Sequence, residues 1–467
     1  AAIQLGLTVA LAHFLTPADF GLVAMLLPIA LFLLLVGDFG LTAAIVSRAA
    51  DPAQAGAAAT LCMGFGTAVP ALMLVLHGAG ALAFMRPQAA DLLVAFGLVT
   101  ALAMAAVVPR ALLESRLLYG RIAGIETAAN MLGAVVAIGS AALGAGAWSF
   151  ALYHLVMQAG RAAGLGLAAR DHLELNLDWR RAQPLLRLGG WIAAFNIVNF
   201  LMRNLDRYIV AAWLGTDALG LYALAYQVML LPLMAVTWPV SAVLVATLGR
   251  LRDRPDAQRE AFLATLTLAG CITLPATTFV ALFSDLIFAA LLPARWALAA
   301  HATGVMAIAG GLQSITAFTG VLFLVQGRVK AQFWFGAGAT ALTLGTLLVC
   351  ATFAPVLPAL VLAYAILTAL LNLFYLRMMA RLLQTDVRRI VARIAPAVAL
   401  SIAAGALALA TDALIAHWSP GARLIGDMLV FGTVIGAGLL ARRATLVRLV
   451  AILQGAGQAA RPAPTAA

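Results

Sequence analysis

The chain has 467 residues, 64% of them hydrophobic and only 10% charged, and its mean hydropathy is strongly positive. No soluble fold has that balance. Its 29 Lys and Arg against 18 Asp and Glu give a formal net charge of +11, but these are 28 Arg and a single Lys scattered through short gaps between apolar runs. They do not gather on one soluble face, which excludes nucleic acid as the partner.

A helix needs about 20 mostly apolar residues to cross the hydrocarbon core, and runs of that kind recur along the whole sequence. The first, residues 1–14, precedes Thr16 and Pro17. It lacks the charged stretch and small-residue cleavage site of a signal peptide and reads as a spanning helix whose start lies outside the sequence. Thirteen more follow at 20–44, 57–78, 91–109, 122–142, 147–165, 188–213, 219–247, 261–283, 300–324, 332–353, 357–376, 394–413 and 424–441. The expected fold is an all-α polytopic membrane protein of about 14 transmembrane helices. Its expected divisions are a six-helix lobe at 1–187, a second at 188–393, two further helices at 394–441 and a cytoplasmic tail at 442–467 that ends in low-complexity Ala, Gly and Pro.

Taken in chain order, the spans carry a few polar side chains. Asp38, near the inner end of the second span, has two readings: a coupling-ion ligand, or a cap for the break that Gly37 and Gly40 introduce. Glu114 and Glu126 stand beside Arg110, Arg116 and Arg121 and read as loop salt bridges near the inner surface. In the sixth span Gln158 and Arg161 are candidates to line a polar interior, whereas His154 reads as a packing residue.

The seventh span, WIAAFNIVNFLMRNLDRYIVAAWLG (191–215), is the most informative. Asn196, Asn199, Arg203, Asp206 and Arg207 fall within one face at 100° per residue, and most of the circumference is apolar. A charge at bilayer depth costs at least ~2.5–3.5 kcal/mol, so this face must turn toward protein or water. Arg203 and Arg207 suit an anionic group such as a pyrophosphate, and Asp206 suits one of those arginines, a cation or a proton. The alternative is a closed structural ion pair between helices. Further on, Asp285 and Trp296 flank an apolar exterior segment and read as an interfacial anchor.

Arginine placement tests the count, because inner loops retain Lys and Arg. One side collects 24 basic residues, and the other only Arg86, Arg295 and Arg423. Both termini are therefore expected in the cytoplasm. The longest loop, 166–187, leaves no sizeable extramembrane region on which to build a catalytic site. The only lysine, Lys330, is not in a GxxxxGK[ST] loop, and HExxH and GxSxG are absent. Cys62, Cys271 and Cys350 lie in apolar runs without metal-ligand or disulfide spacing. The expectation is a protein that is not an enzyme and uses no cofactor and no metal.

A weak internal repeat runs through the chain. LTPADFGLVA (15–24) matches LGTDALGLYA (214–223), aligning Gly21 with Gly220 at a spacing of 199, and Tyr119-Gly120-Arg121 matches Gln326-Gly327-Arg328 at 207. Six spans separate the copies, an even number, so the expected repeat is parallel, with two helices appended.

The segments LTPADFGLVAMLLPIALFLLLVGDFGLTAAIVSR (15–48), RLLYGRIA (116–123), GAGAWSF (144–150), RNLDRYIVAAWLGTDALGLYALAYQV (203–228) and the turn from Leu292 to Trp296 together resemble a known family. They are similar to polysaccharide exporters of the multidrug/oligosaccharidyl-lipid/polysaccharide flippase superfamily, in the branch of colanic-acid and lipopolysaccharide-type exporters. That resemblance implies two six-helix lobes around a central cavity, alternating access, and an undecaprenyl-diphosphate-linked oligosaccharide as cargo in a bacterial inner membrane. It implies lipid-linked oligosaccharide and membrane lipid as partners, alongside a polysaccharide polymerase and glycosyltransferases. It makes Arg203, Arg207, Asn196, Asn199, Gln158 and Arg161 candidate cavity residues, and Asp206 and Asp38 candidates for ion coupling or a structural ion pair. A multidrug cation antiporter of the same superfamily is the alternative. A membrane glycosyltransferase or ligase would need an exterior catalytic loop, and a scaffold would not need charges within the membrane.

Overall fold

A computed structural model describes residues 2–48, 51–83, 85–172, 176 and 178–458. All regular structure among the described residues is helical. Among the described residues eleven stretches are long and apolar enough to cross a membrane, and one of them, Asn196–Arg250, takes in most of the seventh expected span and all of the eighth. The protein is a multi-pass, all-helical membrane protein. Contacts divide it into two compact units, residues 2–220 and 221–467.

The first unit contains α1 (Ala2–Phe14), α2 (Pro17–Asp38), α3 (Leu41–Arg48), α4 (Pro52–Gly78), α5 (Pro87–Ser115), α6 (Tyr119–Ala142), α7 (Trp148–Ala169) and the first part of α8 (Gln183–Pro232). Local chemistry sets the helix starts. Thr16 caps α2 with Pro17 in its first turn, and Asp19 closes a capping box by accepting from the Thr16 backbone at 3.0 Å. The same Asp19 carboxylate accepts the Ala147 backbone N–H at 3.0 Å, so the LTPADFG and GAGAWSF segments meet at one side chain. Asp51 caps α4 in the same manner, accepting from Gln54 at 2.7 Å. Within the unit α4 packs on α5, α6 on α7, α5 on α7, and α2 on α5. The segment 179–182 lies against α4, burying Ala182 and Leu185 among Ala55, Ala57 and Ala58.

The second unit contains the remainder of α8, α9 (Trp238–Arg250), α10 (Pro255–Leu291), α11 (Ala297–Thr316), α12 (Thr319–Val325), α13 (Val329–Phe353), α14 (Leu357–Leu382), α15 (Val387–Leu414), α16 (Pro420–Ala441) and α17 (Arg443–Gln458). The pairing order of the first unit recurs: α10 packs on α11, α13 on α14, and α11 on α14. α15 and α16 pack on each other and on α10, and α17, the first part of the expected tail, is a helix packed on α10 with Leu449 buried. At one end of this unit Glu260 bridges Arg389 at 2.5 Å and Arg393 at 2.8 Å, and Arg259 donates to the Leu383 carbonyl at 2.8 Å, tying α10 to α14 and α15.

The repeat has a structural counterpart. Gly21 is the fifth residue of α2, and Gly220 is the fifth residue after the kink at Gly215, where φ is 83°. Span two breaks at Phe39 and Gly40, both left-handed, and the π-helical segment Leu233–Thr237 interrupts span eight at the corresponding depth. The second motif pair aligns differently from the sequence match. The left-handed residue before α6 is Leu117 (φ 60°) and the one before α13 is Gly327 (φ 69°), so the turns correspond at 327 minus 117, or 210, and Tyr119-Gly120-Arg121 already lies within α6. Trp296 is also not an interfacial anchor. It is fully buried within its short 3-10 turn, because the turn folds inward onto the unit's own helices.

Candidate functional site

α8 carries the five polar residues of the seventh span. The helix runs without interruption from Gln183 to Leu214, so the register read from the sequence holds and the five share a face. Asn196 and Arg203 are exposed, and Asn199, Asp206 and Arg207 are half-buried. Toward the Gly215 end the same face becomes apolar and closed at Val210, which is fully buried. The other asparagine of this helix, Asn204, donates to the Phe200 carbonyl at 2.8 Å and is satisfied within its own helix. Phe200 in turn lies near Phe32 of α2, with ring centroids 6.2 Å apart.

A second polar cluster forms where α5, α6 and α7 meet. Arg161 donates to Gln158 Oε1 at 3.0 Å and to Glu126 Oε1 at 2.8 Å, and Arg110 reaches the same Glu126 oxygen at 3.3 Å. Gln158 is buried, and Tyr153 donates to Asn130 at 2.8 Å, whose amide donates to the Glu126 carbonyl at 2.8 Å. His154 lies between Phe96 and Tyr153, at centroid distances of 6.1 and 4.8 Å, as a packing residue. The loop reading of Glu126 does not hold: it is the eighth residue of a 24-residue spanning helix. One carboxylate between two guanidiniums leaves the cluster with an excess positive charge; the Arg110 Nε faces Glu126 as an ion pair without hydrogen-bond geometry, and the Arg161 Nε makes no hydrogen bond. The sequence signal for Glu126 was its depth within an apolar run, which its neighbouring loop arginines obscured.

Asp38 occupies the break between α2 and α3. Its carboxylate accepts the Gly40 backbone N–H at 3.1 Å, the Thr42 backbone N–H at 3.2 Å and the Thr42 hydroxyl at 2.5 Å. Three donors thus hold the carboxylate as the cap of this break, occupying three of its roughly four lone-pair sites. Gly40, at φ 72°, also presses its backbone against that of Gly189; a Cβ there would stand 2.1 Å from the Gly189 carbonyl oxygen. The break therefore serves both a turn and a close helix approach.

The sequence reading passed over two polar groups in the second unit. Thr316 donates to Asn372, which bonds back to the Thr368 carbonyl at 2.8 Å, and Ser314 donates to Thr273 at 3.0 Å, so hydroxyls and amides thread a buried seam between α10, α11 and α14. The other is Asp427 in α16, which is fully buried.

Residues 10–301, more than half of the chain, match the family model described as polysaccharide biosynthesis protein. The chain belongs to that family. The chain is 29% identical over 259 residues to the lipopolysaccharide biosynthesis protein WzxC of Escherichia coli, a match covering 51% of this chain and 53% of WzxC. It is 27% identical over 310 residues to the succinoglycan biosynthesis transport protein ExoT of Rhizobium meliloti, covering 65% of this chain and 61% of ExoT. Between one-half and two-thirds of each relative's length is thus matched. Among solved structures, the fold is similar to the lipid II flippase MurJ in an inward closed conformation, with TM-score 0.74 and 12% identity over 95% of this chain and 97% of MurJ. An inward-facing multidrug resistance MATE transporter has TM-score 0.65 and 15% identity, over 80% and 94%. The family member therefore has the fold of these transporters.

Proposed function

We propose that the chain moves an undecaprenyl-diphosphate-linked oligosaccharide, a repeat unit of O-antigen, exopolysaccharide or capsule, across a bacterial inner membrane by alternating access. The observation that carries this reading is the pair of arginines one helical turn apart, Arg203 and Arg207, on the polar face of a mostly apolar spanning helix in a member of a polysaccharide biosynthesis family. Guanidinium groups bind phosphate oxygens through paired, charge-assisted hydrogen bonds, and two at this spacing match the two phosphates of a diphosphate. Asn196 and Asn199 continue the face and offer amides to sugar hydroxyls. Gln158 and Arg161, with Glu126 and Arg110, add a second positively charged wall in this reading.

Alternating access accounts for how a diphosphate-sugar headgroup crosses without an aqueous pore: rigid bundles rock around a fixed polar site. In this scheme the moving bodies are 1–187 and 188–393, the two helices at 394–441 are an appendage, and 442–467 belongs to the cytoplasmic side. The asymmetry of 24 basic residues against three supports both termini facing the cytoplasm. Asp206, among the arginines, is the candidate on this helix for ion coupling or for a structural ion pair.

The test is complementation of a strain lacking its lipopolysaccharide or exopolysaccharide exporter, read as surface glycan. Restoration by the wild-type chain and its loss in the Arg203→Gln, Arg207→Gln double variant at equal membrane abundance are expected. Drug resistance conferred on a pump-deficient strain, with no glycan restored, would replace this reading with a multidrug antiporter. Full activity of Asp206→Asn would reject a coupling role for that residue.

A further inference from the structure

The α15–α16 hairpin holds a charged cluster with an unusual imbalance. Asp412, near the end of α15, is held by Arg423 of α16 through both carboxylate oxygens, Nε to Oδ1 at 2.8 Å and Nη2 to Oδ2 at 2.7 Å. One turn further along α16, on the same face, stands Asp427, bordering Asp412. It has no exposed surface, and neither of its oxygens receives a hydrogen bond.

Among the described residues Asp427 has no ion pair, Asp412 pairs with Arg423, and His417, in the turn joining the two helices, has its ring against Trp418. α16 packs on α15, α10 and α17. From α10 the rings nearest this part of α16 are phenylalanines: Phe431, one turn beyond Asp427, meets Phe279 at 5.2 Å, and Phe279 stacks on Phe283; the α10 hydroxyls of Thr277 and Ser284 are buried, and that of Thr277 bonds back to its own helix. The α10 carboxylate at this end, Asp285, is exposed and faces His301 of α11 at 4.0 Å. The remaining charges of α10 and α15, Asp256, Arg259, Glu260, Arg388, Arg389 and Arg393, stand at the opposite ends of those helices. Arg443 and Arg448 of α17 follow the far end of α16, and Arg443 is 16 residues beyond Asp427, about 24 Å along a helix. Ionised, Asp427 would be a buried charge without a donor, next to a carboxylate whose only cation is already engaged bidentately. Isolated buried charges of this kind are not sustained, and two adjacent carboxyl groups resolve the conflict by sharing one proton.

We propose that Asp427 and Asp412 form a proton-binding site, in which Asp427 carries a proton donated toward Asp412 and releases it when the hairpin opens. The ligand is the proton itself: the Asp427 O–H bond breaks, the electron pair stays on the carboxylate, and Arg423 is the cation that can then be shared between the two acids. Intramembrane carboxylates without structural partners mark ion and proton pathways. As a coupling site, it rests on the transport reading above; as a proton site, it does not.

Infrared difference spectroscopy on the purified full chain in lipid nanodiscs tests the proton site without any transport assay. A protonated-carboxyl band at neutral pH that disappears at high pH, is absent from Asp427→Asn and persists in Asp206→Asn is expected. A wild-type spectrum without such a band, or one in which the band responds to sodium and not to pH, overturns the proposal. The coupling arm uses the glycan complementation strain: Asp427→Asn and Asp427→Leu should lose the dependence of glycan display on external pH, with Asp427→Leu folding at least as stably as wild type because a buried uncompensated acid is replaced by an apolar side chain. Unchanged pH dependence in both variants overturns the coupling role. Failure of the wild-type chain to complement would overturn the transport reading while leaving the spectroscopic result standing.

Discussion

Gly21 and Gly220 meet backbone to backbone. A Cβ on Gly21 would stand 1.7 Å from the Thr216 carbonyl oxygen, and one on Gly220 would stand 1.9 Å from the Pro17 carbonyl oxygen. The two glycines aligned by the internal repeat are thus the two that allow the starts of their helices to touch. Small residues permit this approach in a membrane, where association depends on close packing and not on expulsion of water.

Gly21→Ala and Gly220→Ala should each push these helices apart at a cost of about 1–3 kcal/mol, the range for forced overpacking. The thermal midpoint of the purified protein should fall for both variants. Gly64→Ala, at a position with open space around the glycine, serves as the control that should not change it.

Glu126 joins three helices through Arg161 and Arg110. Glu126→Gln should destabilise the protein by about 2 kcal/mol, the scale of a lost charge-assisted hydrogen bond. The Glu126→Gln, Arg161→Gln double variant should lose less than the sum of the two single variants, because each single change strands the other partner. A thermal-denaturation double-mutant cycle reads the coupling, and strict additivity would refute it.

Asp38 satisfies a turn with three donors. Asp38→Ala should cost about 1–2 kcal/mol of stability, as loss of a good cap does. Glycan export per folded molecule should stay near the wild-type value. Export that fails at normal stability would instead make Asp38 an ion ligand.

Arg203 and Arg207 are predicted to act through their planar guanidinium groups. Lysine keeps the charge but loses the paired geometry, so the Arg203→Lys, Arg207→Lys chain should export less glycan than wild type and more than the double glutamine chain. Surface glycan in the complemented strain measures the order, and equal export by the lysine and wild-type chains would reduce the interaction to charge alone.

The hydrophobic periods, the arginine alternation and the Pro and capping signals were enough to read a polytopic helical protein, because each is a local property of a helix in lipid. The 100° register of Asn196, Asn199, Arg203, Asp206 and Arg207 was equally legible, since an uninterrupted helix transmits it unchanged. Turn equivalence was harder: matching letters put Gly120 opposite Gly327, whereas backbone conformation puts Leu117 there. A left-handed residue need not be glycine, and a short motif does not report its φ.

Partnership was decided only by the tertiary structure. Nothing local told Glu126 to bridge Arg161, 35 residues away, or buried Trp296. Nor did anything local leave Asp427 without a donor while Asp412 took both donors of Arg423. The free energy of a charge in a membrane depends on which other groups the fold brings within a few ångströms, and that distance is a property of packed helices, not of the order of residues along any one of them.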